Sequence, residues 1–324
     1  MKNIWIVFLC LAIILEGCDK DITIELPEGE TQLVVEGSID VNEPPIIFLS
    51  HSQGYFDPLT LSDLASFYIC DAVVTLTANG VTDTLVALSA ATLTPEQQQQ
   101  VADLLGIPVE QLSTGNLCAY TSLNPQFWGK YGTTYRLDVY HEGKHVHATS
   151  KMNYPVPLDS LWFASPSGNP NDSLGFIYAT LSDPDTLGNC YRWAAKRINH
   201  YPNWVPDVAL RGKPKDMDFV RPFNSVTNDN FFNGLTFDFS YYRGSERGSE
   251  KFDDIGIEAG YYKRGDTLVV KGQSIDYGSF QFIYDIENSN GGPFAIPFNL
   301  RSNVVGGLGA FIAYGSHIDT LVCQ

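Results

Sequence analysis

Tyr135, Leu137 and Val139 alternate with Arg136, Asp138 and Tyr140, and beyond Glu142-Gly143 an alternation resumes from Lys144. A period of two is that of a half-buried strand, and a two-residue turn reverses it into a hairpin. Glu142-Gly143 as the turn sets His141 opposite Lys144, Val139 opposite Val146 and Asp138 opposite His147. In that register Leu137, Val139, Val146 and Ala148 share the core face, and a slip by one residue would turn them all to solvent. A second hairpin is expected from 71–78 and 82–88, reversing at Asn79-Gly80, the strongest short hairpin signal. Other apolar runs are short and β-branched or aromatic: Leu33-Val34-Val35, Ile46-Ile47-Phe48-Leu49 and Val73-Val74-Thr75-Leu76. The same pattern predicts strands near 117–121, 176–182, 190–198, 235–239, 267–271, 309–314 and 318–323. The class is therefore all-β, mainly strand with a few short helices.

Two helices interrupt this pattern. Thr94-Pro95-Glu96-Gln97 supplies an N-cap, a proline at N1 and a capping-box Gln, and Val101, Leu104 and Leu105 share a face before Gly106. Its polar face is Gln-rich and lacks Lys and Arg, which favours a helix capping the end of a sandwich over one lying on a membrane. Residues 276–287 place Phe280, Ile283 and Tyr284 at helical spacing, with Asp276 as N-cap. The linker Asn153-Tyr154-Pro155-Val156-Pro157 divides the chain. Residues 31–153 are expected to form an immunoglobulin-like β-sandwich with a helical insertion at 94–106. Residues 158–324 would form a second β-sandwich or barrel-like domain; one large β domain is the alternative that 324 residues allow.

The N-terminus addresses the chain. Lys2 precedes an apolar run, Ile4 to Leu15, too short to cross a bilayer as a permanent helix, and Leu15-Glu16-Gly17-Cys18 follows. Residues 1–17 read as a secretory signal, and the last four residues resemble a bacterial lipobox, with Cys18 as the acylated new N-terminus. Residues 18–30 form an acidic tether, and Asp19-Lys20-Asp21 either directs export to the outer face or is simply solvated. The formal net charge of −17 repels nucleic acid and anionic headgroups, so neither is an expected partner. Of six cysteines, Cys10 leaves with the signal and Cys18 carries lipid. The remaining four permit three disulfide connectivities. Cys70–Cys118 and Cys190–Cys323 are preferred because each closes within one half, with buried free thiols as the alternative.

Motifs for chemistry are few. His141-Glu142-Gly143-Lys144-His145 matches H-E-x-x-H, but that motif binds zinc only on a helix, and here it lies across a hairpin. A His147–Asp138 cross-strand pair is the reading preferred, and no metal site is expected. Asp183-Pro184-Asp185-Thr186-Leu187-Gly188-Asn189 begins like a calcium loop but lacks the downstream Glu, which favours an Asx-rich turn. The repeated Arg-Gly-Ser-Glu at 243–250 suits a loop tip. There is no G-x-S-x-G, Walker A or CxxC, so neither enzymatic activity nor a cofactor is expected. Residues 199–224 concentrate Tyr201, Trp204, Arg211, Lys213, Lys215 and Arg221 in an acidic protein. Tyr201, Trp204, Arg211, Lys213 and Arg221 are the candidates for contact with a partner or ligand, because Trp and Arg dominate binding surfaces. The alternative is a loop that packs its aromatics on its own domain.

An ordered set of segments carries a resemblance. It runs from Leu33-Val34-Val35-Glu36-Gly37 through Ala72-Val73-Val74-Thr75-Leu76 and Thr134-Tyr135-Arg136-Leu137-Asp138-Val139 to Asp159-Ser160-Leu161. Asp183-Pro184, Tyr191-Arg192-Trp193 and Asp229-Asn230-Phe231-Phe232-Asn233-Gly234 follow, then Gly291-Gly292-Pro293-Phe294, Ser302-Asn303 and Gly306-Gly307-Leu308-Gly309-Ala310-Phe311. The chain resembles the Bacteroidota outer-membrane lipoprotein family catalogued as domain of unknown function 4249. The resemblance implies a lipid-anchored, surface-exposed protein associated with a TonB-dependent β-barrel receptor in nutrient uptake. It supplies no catalytic residues. An adhesive or structural surface protein without a transporter partner is the alternative.

Overall fold

The computed structural model describes residues 31–52, 68–99, 109, 117–169, 171–244, 260–289 and 300–324. Cys18, the tether, most of the 94–106 insertion and most of the 243–250 repeat lie outside them. The described residues are mostly strand, arranged in open sheets.

The first half supplies β1 (Leu33–Asp40), β2 (Ile46–His51), β3 (Val73–Ala78), β4 (Val81–Thr84), β5 (Val86–Ser89), β6 (Cys118–Thr121), β7 (Thr134–His141) and β8 (Lys144–Lys151). The second supplies β9 (Ser160–Ala164), β10 (Leu174–Ser182), β11 (Cys190–Arg197), β12 (Val226–Asn228), β13 (Thr236–Tyr241), β14 (Tyr262–Lys263) and β15 (Thr267–Ile275). Helix α1 (Tyr277–Asn288), β16 (Val304–Val305) and β17 (Leu308–Val322) complete it.

Both hairpins turn where expected and the second has the expected register, but the 82–88 arm of the first divides: β4 pairs with β3, and β5 crosses to pair with β6 in the eight-stranded sheet. Asn79 and Gly80 have φ of 51° and 78°, and Glu142 and Gly143 of 48° and 76°, the paired positive values of a type I′ turn. His141 pairs with Lys144, Val139 with Val146 and Asp138 with His147. The capping box forms as read: the Thr94 amide donates to Gln97 Oε1 at 2.9 Å, and the Gln97 amide donates to Thr94 Oγ1 at 3.3 Å. Asp276 caps α1 by accepting from the Ser279 amide at 2.9 Å.

The halves expected on either side of 153–158 do not have separate sheets. One eight-stranded sheet runs β12-β11-β15-β17-β1-β2-β6-β5, drawing on both. Its hinge is β17, a single 15-residue strand where two were expected. Leu308 to Tyr314 pair in parallel with β1, and Gly315 to Val322 pair antiparallel with β15. Gly315 interrupts the hydrophobic pattern without ending the strand, and glycine is required there because a Cβ would lie 1.9 Å from the Asn153 carbonyl oxygen. One face of this sheet packs on two smaller ones. Leu33, Val35, Leu49 and Phe311 meet Val74, Leu76, Leu137 and Val139 of the sheet β16-β8-β7-β3-β4. Further along, Ala195, Leu268, Val270 and Leu321 meet Ile177 and Tyr262, which come from the β13-β10-β14 sheet. On the opposite face α1 seats Phe280 and Ile283 against Ala310, Ile312 and Ile275.

The β1–β17 pairing depends on Gly309, which has φ of 92° and sits opposite Val35. An added Cβ would lie 2.0 Å from the Val35 carbonyl oxygen. Gly309→Ala is expected to cost about 1–3 kcal/mol from backbone strain alone, with the clash adding to it. Gly80→Ala also has a positive φ, but nothing lies within 4 Å of its Cβ, so it is the control. Urea unfolding should rank Gly309→Ala well below Gly80→Ala; equal midpoints would contradict the close approach.

Cys70 and Cys118 are joined, as expected. Cys190 and Cys323 are free and buried, which corrects the second pairing. The strand register explains the error. Cys190 pairs with Ile275 at one end of β15, whereas Cys323 follows Val322, which pairs with Thr267 at the other. At about 3.3 Å per residue that is roughly 25–30 Å, far beyond the ~7 Å a disulfide can span. Burial pushes both thiols up to about 12, so little thiolate is available for reaction.

Candidate functional site

The face of the large sheet that carries α1 continues past it into a polar cleft. Residues 38 and 40 of β1, 314 of β17, 271 and 273 of β15, and 192 and 194 of β11 lie in register across four strands. Asp40 is opposite Tyr314, Gln273 opposite Arg192, and Lys271 opposite Ala194. The period of two therefore brings Arg192, Lys271, Gln273 and Tyr314 to one surface, while Tyr191, Trp193 and Val270 point into the cores below. Glu43 and Pro44 from the β1–β2 turn form one wall. The opposite wall is the segment at 218–221, which runs beside β11 through hydrogen bonds in both directions between Val220 and Ala195, at 2.9 and 3.0 Å. With Val220 turned inward, Asp218, Phe219 and Arg221 line the cleft, which holds about 250 Å³.

Its electrostatics are uneven. Lys271 Nζ is 2.7 Å from Asp40 Oδ2 and 4.9 Å from the centre of the Phe219 ring, an ion pair with a cation–π contact. Arg192 is half-buried and has no carboxylate within salt-bridge distance among the described residues. Its Nη1 donates to the Tyr314 hydroxyl at 2.9 Å and its Nε to Ser225 Oγ at 3.3 Å, and its guanidinium lies 5.8 Å over the Tyr314 ring. Ser225 in turn donates its amide to Glu287 Oε2 of α1 at 2.6 Å and its hydroxyl to Oε1, so Glu287 is hydrogen-bonded to Ser225 and acts on Arg192 through space. Burial holds the Arg192 guanidinium below its ordinary value, and Arg221 beside it acts in the same direction. A guanidinium taken from water and bonded to neutral hydroxyls still favours an anionic acceptor.

Of the five candidates from the 199–224 segment, only Arg221 lines this cleft. Tyr201 is 2% exposed and belongs to the interior, so it does not present a contact surface. Trp204 is 77% exposed, and Arg211 and Lys213 are exposed with it on a loop closed by backbone bonds between Tyr201 and Gly212–Lys213. Arg211 Nε donates to the Val205 carbonyl at 2.9 Å, which stiffens that tip. Arg192, Lys271 and Tyr314 were not foreseen. Their alternation within strands was visible, but which strands become neighbours was not.

The other motifs resolve into structure. Asp183 accepts from the Tyr191 hydroxyl and from the Gly234 amide, and Asp229 accepts from the amides of Gly188 and Asn189. These carboxylates tie the 183–189 turn to Tyr191 and to the 229–234 segment; they are long-range bonds, not the local side-chain-to-backbone bonds of an Asx turn. In the histidine hairpin, Asp138 bonds diagonally to His145 at 2.9 Å instead of to His147 directly opposite, which corrects the expected pair. Diagonal neighbours across an antiparallel pair lie within reach of long side chains.

Among curated proteins none matches this chain. Residues 19–318 match the family model described as Domain of unknown function (DUF4249), nearly the whole chain, and the protein belongs to that family.

Proposed function

We propose that this protein is a non-catalytic, lipid-anchored accessory at the outer membrane that captures a small polar ligand bearing a carboxylate or similar anion, and that it works beside a TonB-dependent β-barrel receptor. The anchor rests on the Leu15-Glu16-Gly17-Cys18 sequence, and the receptor on the family resemblance. A Cys70–Cys118 disulfide supports an oxidising, exported compartment. One observation carries ligand capture: Arg192 is half-buried, is bonded to hydroxyls alone among the described residues, and lines a cleft with Arg221, Phe219 and Tyr314. Guanidinium groups read carboxylates, and aromatic rings cover the apolar face of a small ligand.

Two measurements separate the ligand from the partner. In a thermal-shift panel of mono- and dicarboxylates, uronates and inorganic phosphate, at least one should stabilise the mature protein. Arg192→Gln should then weaken that binding about tenfold to a hundredfold, the worth of a charged hydrogen bond. A panel without a stabiliser, or a variant that binds as the wild type does, would refute ligand capture at this cleft. A mild-detergent pull-down of the tagged native protein addresses the receptor. A stoichiometric outer-membrane β-barrel supports the accessory role, and a clean surface-exposed monomer favours an adhesive or structural one. Repeating it with Trp204→Ala and Arg211→Ala tests the loop tip, and unchanged co-purification with normal folding would end that tip's part in docking.

A further inference from the structure

We propose that Asp138, His145 and His147 form a transition-metal site of the zinc class on the outer face of the β7–β8 hairpin. His145 and His147 are two residues apart on β8, so their imidazoles leave the same side of the strand, and Asp138 of β7 sits opposite His147. One potential ligand atom from each of the three residues lies within 4.8 Å of the other two. Zinc bound tetrahedrally at about 2.0–2.1 Å places its ligand atoms roughly 3.3 Å apart. Asp138 Oδ1 and His145 Nε2 are already closer than that, at 2.9 Å. Rotation of the His147 imidazole about its side-chain bonds supplies the remaining closure.

The surroundings hold two of the three ligands in place. Tyr140 stacks on the His145 ring with centroids 4.4 Å apart and planes 5° from parallel. Arg136 donates to both oxygens of Asp138, each at 2.8 Å. The His147 imidazole makes no hydrogen bond among the described residues, so it turns toward an ion at little cost. Two imidazoles and one carboxylate select zinc, nickel or copper over calcium and magnesium, which prefer all-oxygen shells. His145 keeps 41% of its side chain exposed, which leaves room for a solvent ligand in the fourth position. The literal H-E-x-x-H is not this site, because His141 lies on the other face of the hairpin, bonded to Asp71 at 3.0 Å.

The test is a Zn²⁺ titration of the mature protein in detergent against a chromophoric chelator, with the imidazole proton resonances followed by NMR. One equivalent should bind, shifting the ring signals of His145 and His147 and leaving those of His141. His147→Ala and His145→Ala should each weaken binding by roughly tenfold or more, while His141→Ala binds as the wild type does. His147→Ala removes a side chain that has no hydrogen bond among the described residues, so its fold should be intact. Absence of a stoichiometric site, wild-type affinity in His147→Ala, or an equal loss in His141→Ala would each overturn the assignment.

Discussion

Asp216→Ala is expected to destabilise the protein by about 3–5 kcal/mol, the cost of stranding a buried charge after its partner is removed. Asp216 lies between two guanidiniums, and the side chains of Arg197, Asp216 and Arg243 are 2%, 3% and 1% exposed. Arg197 Nη2 donates to Asp216 Oδ1 at 2.8 Å, its Nε contacts both oxygens at 3.1 and 3.2 Å, and its own amide donates to Oδ2 at 2.8 Å. Arg243 Nη2 adds a bond at 3.2 Å. One carboxylate thus ties the end of β11 to the 199–216 loop and to the chain beyond β13. Burial works to raise its carboxyl, yet the Arg197 hydrogen bonds and both positive charges outweigh it and hold the group below the usual range.

That direction sets the pH dependence. A carboxylate depressed in the folded state contributes stability above its unfolded value, near 3.9, and loses it as pH falls through the lower folded value. Acid should therefore erase most of the difference between wild type and Asp216→Ala, whereas at neutral pH the gap is full. Asp216→Asn keeps the shape and one acceptor, so it should fall between them. Urea midpoints at pH 7 and in acid check all three, and an Asp216→Ala loss below about 1 kcal/mol at pH 7 would show that the guanidiniums find other compensation.

What the sequence disclosed was local. The two hairpins were legible because both signals coincide there: alternation over six or more residues, and turn pairs, Asn79-Gly80 and Glu142-Gly143, suited to positive φ. The capping box at Thr94 and the Asp276 cap were legible for the same reason, since their partners lie within three residues. What it withheld was the order of distant strands. Nothing in Leu33–Asp40 announces a parallel partner that begins at Leu308, yet that pairing joins the two halves. The cleft inherits this opacity. Asp40, Arg192, Lys271 and Tyr314 become neighbours only after β1, β11, β15 and β17 are set side by side. Cys190 and Cys323 looked like partners because both belong to the second half, and only the register of β15 shows them at opposite ends. His145 rather than His147 reaches Asp138 because a diagonal neighbour also lies within reach of a long side chain, and the register alone does not choose between the two.

Removal of the Cys70–Cys118 bridge by double alanine substitution is expected to cost about 4 kcal/mol on the chain-entropy account, within the 2–5 kcal/mol seen for native disulfides. The two cysteines are 48 residues apart, so the bridge denies the unfolded chain a large set of conformations. Its place in the fold adds a local consequence. It fastens the segment before β3 to β6, and β6 with β5 forms the edge of the eight-stranded sheet. A second fastener joins the same segments: the Tyr120 hydroxyl donates to the Ile69 carbonyl at 3.1 Å and accepts from the Ala72 amide at 2.9 Å. Those bonds exist only when the chain is folded, so they cannot restrict the unfolded ensemble as a covalent link does. Tyr120→Phe should therefore cost about 1–2 kcal/mol, and the disulfide variant considerably more. If the disulfide acts through the unfolded state, the two losses should add in the triple variant; if it acts by holding the native edge together, they should couple. Thermal unfolding of the four proteins distinguishes these cases, and a disulfide variant as stable as the wild type would exclude both.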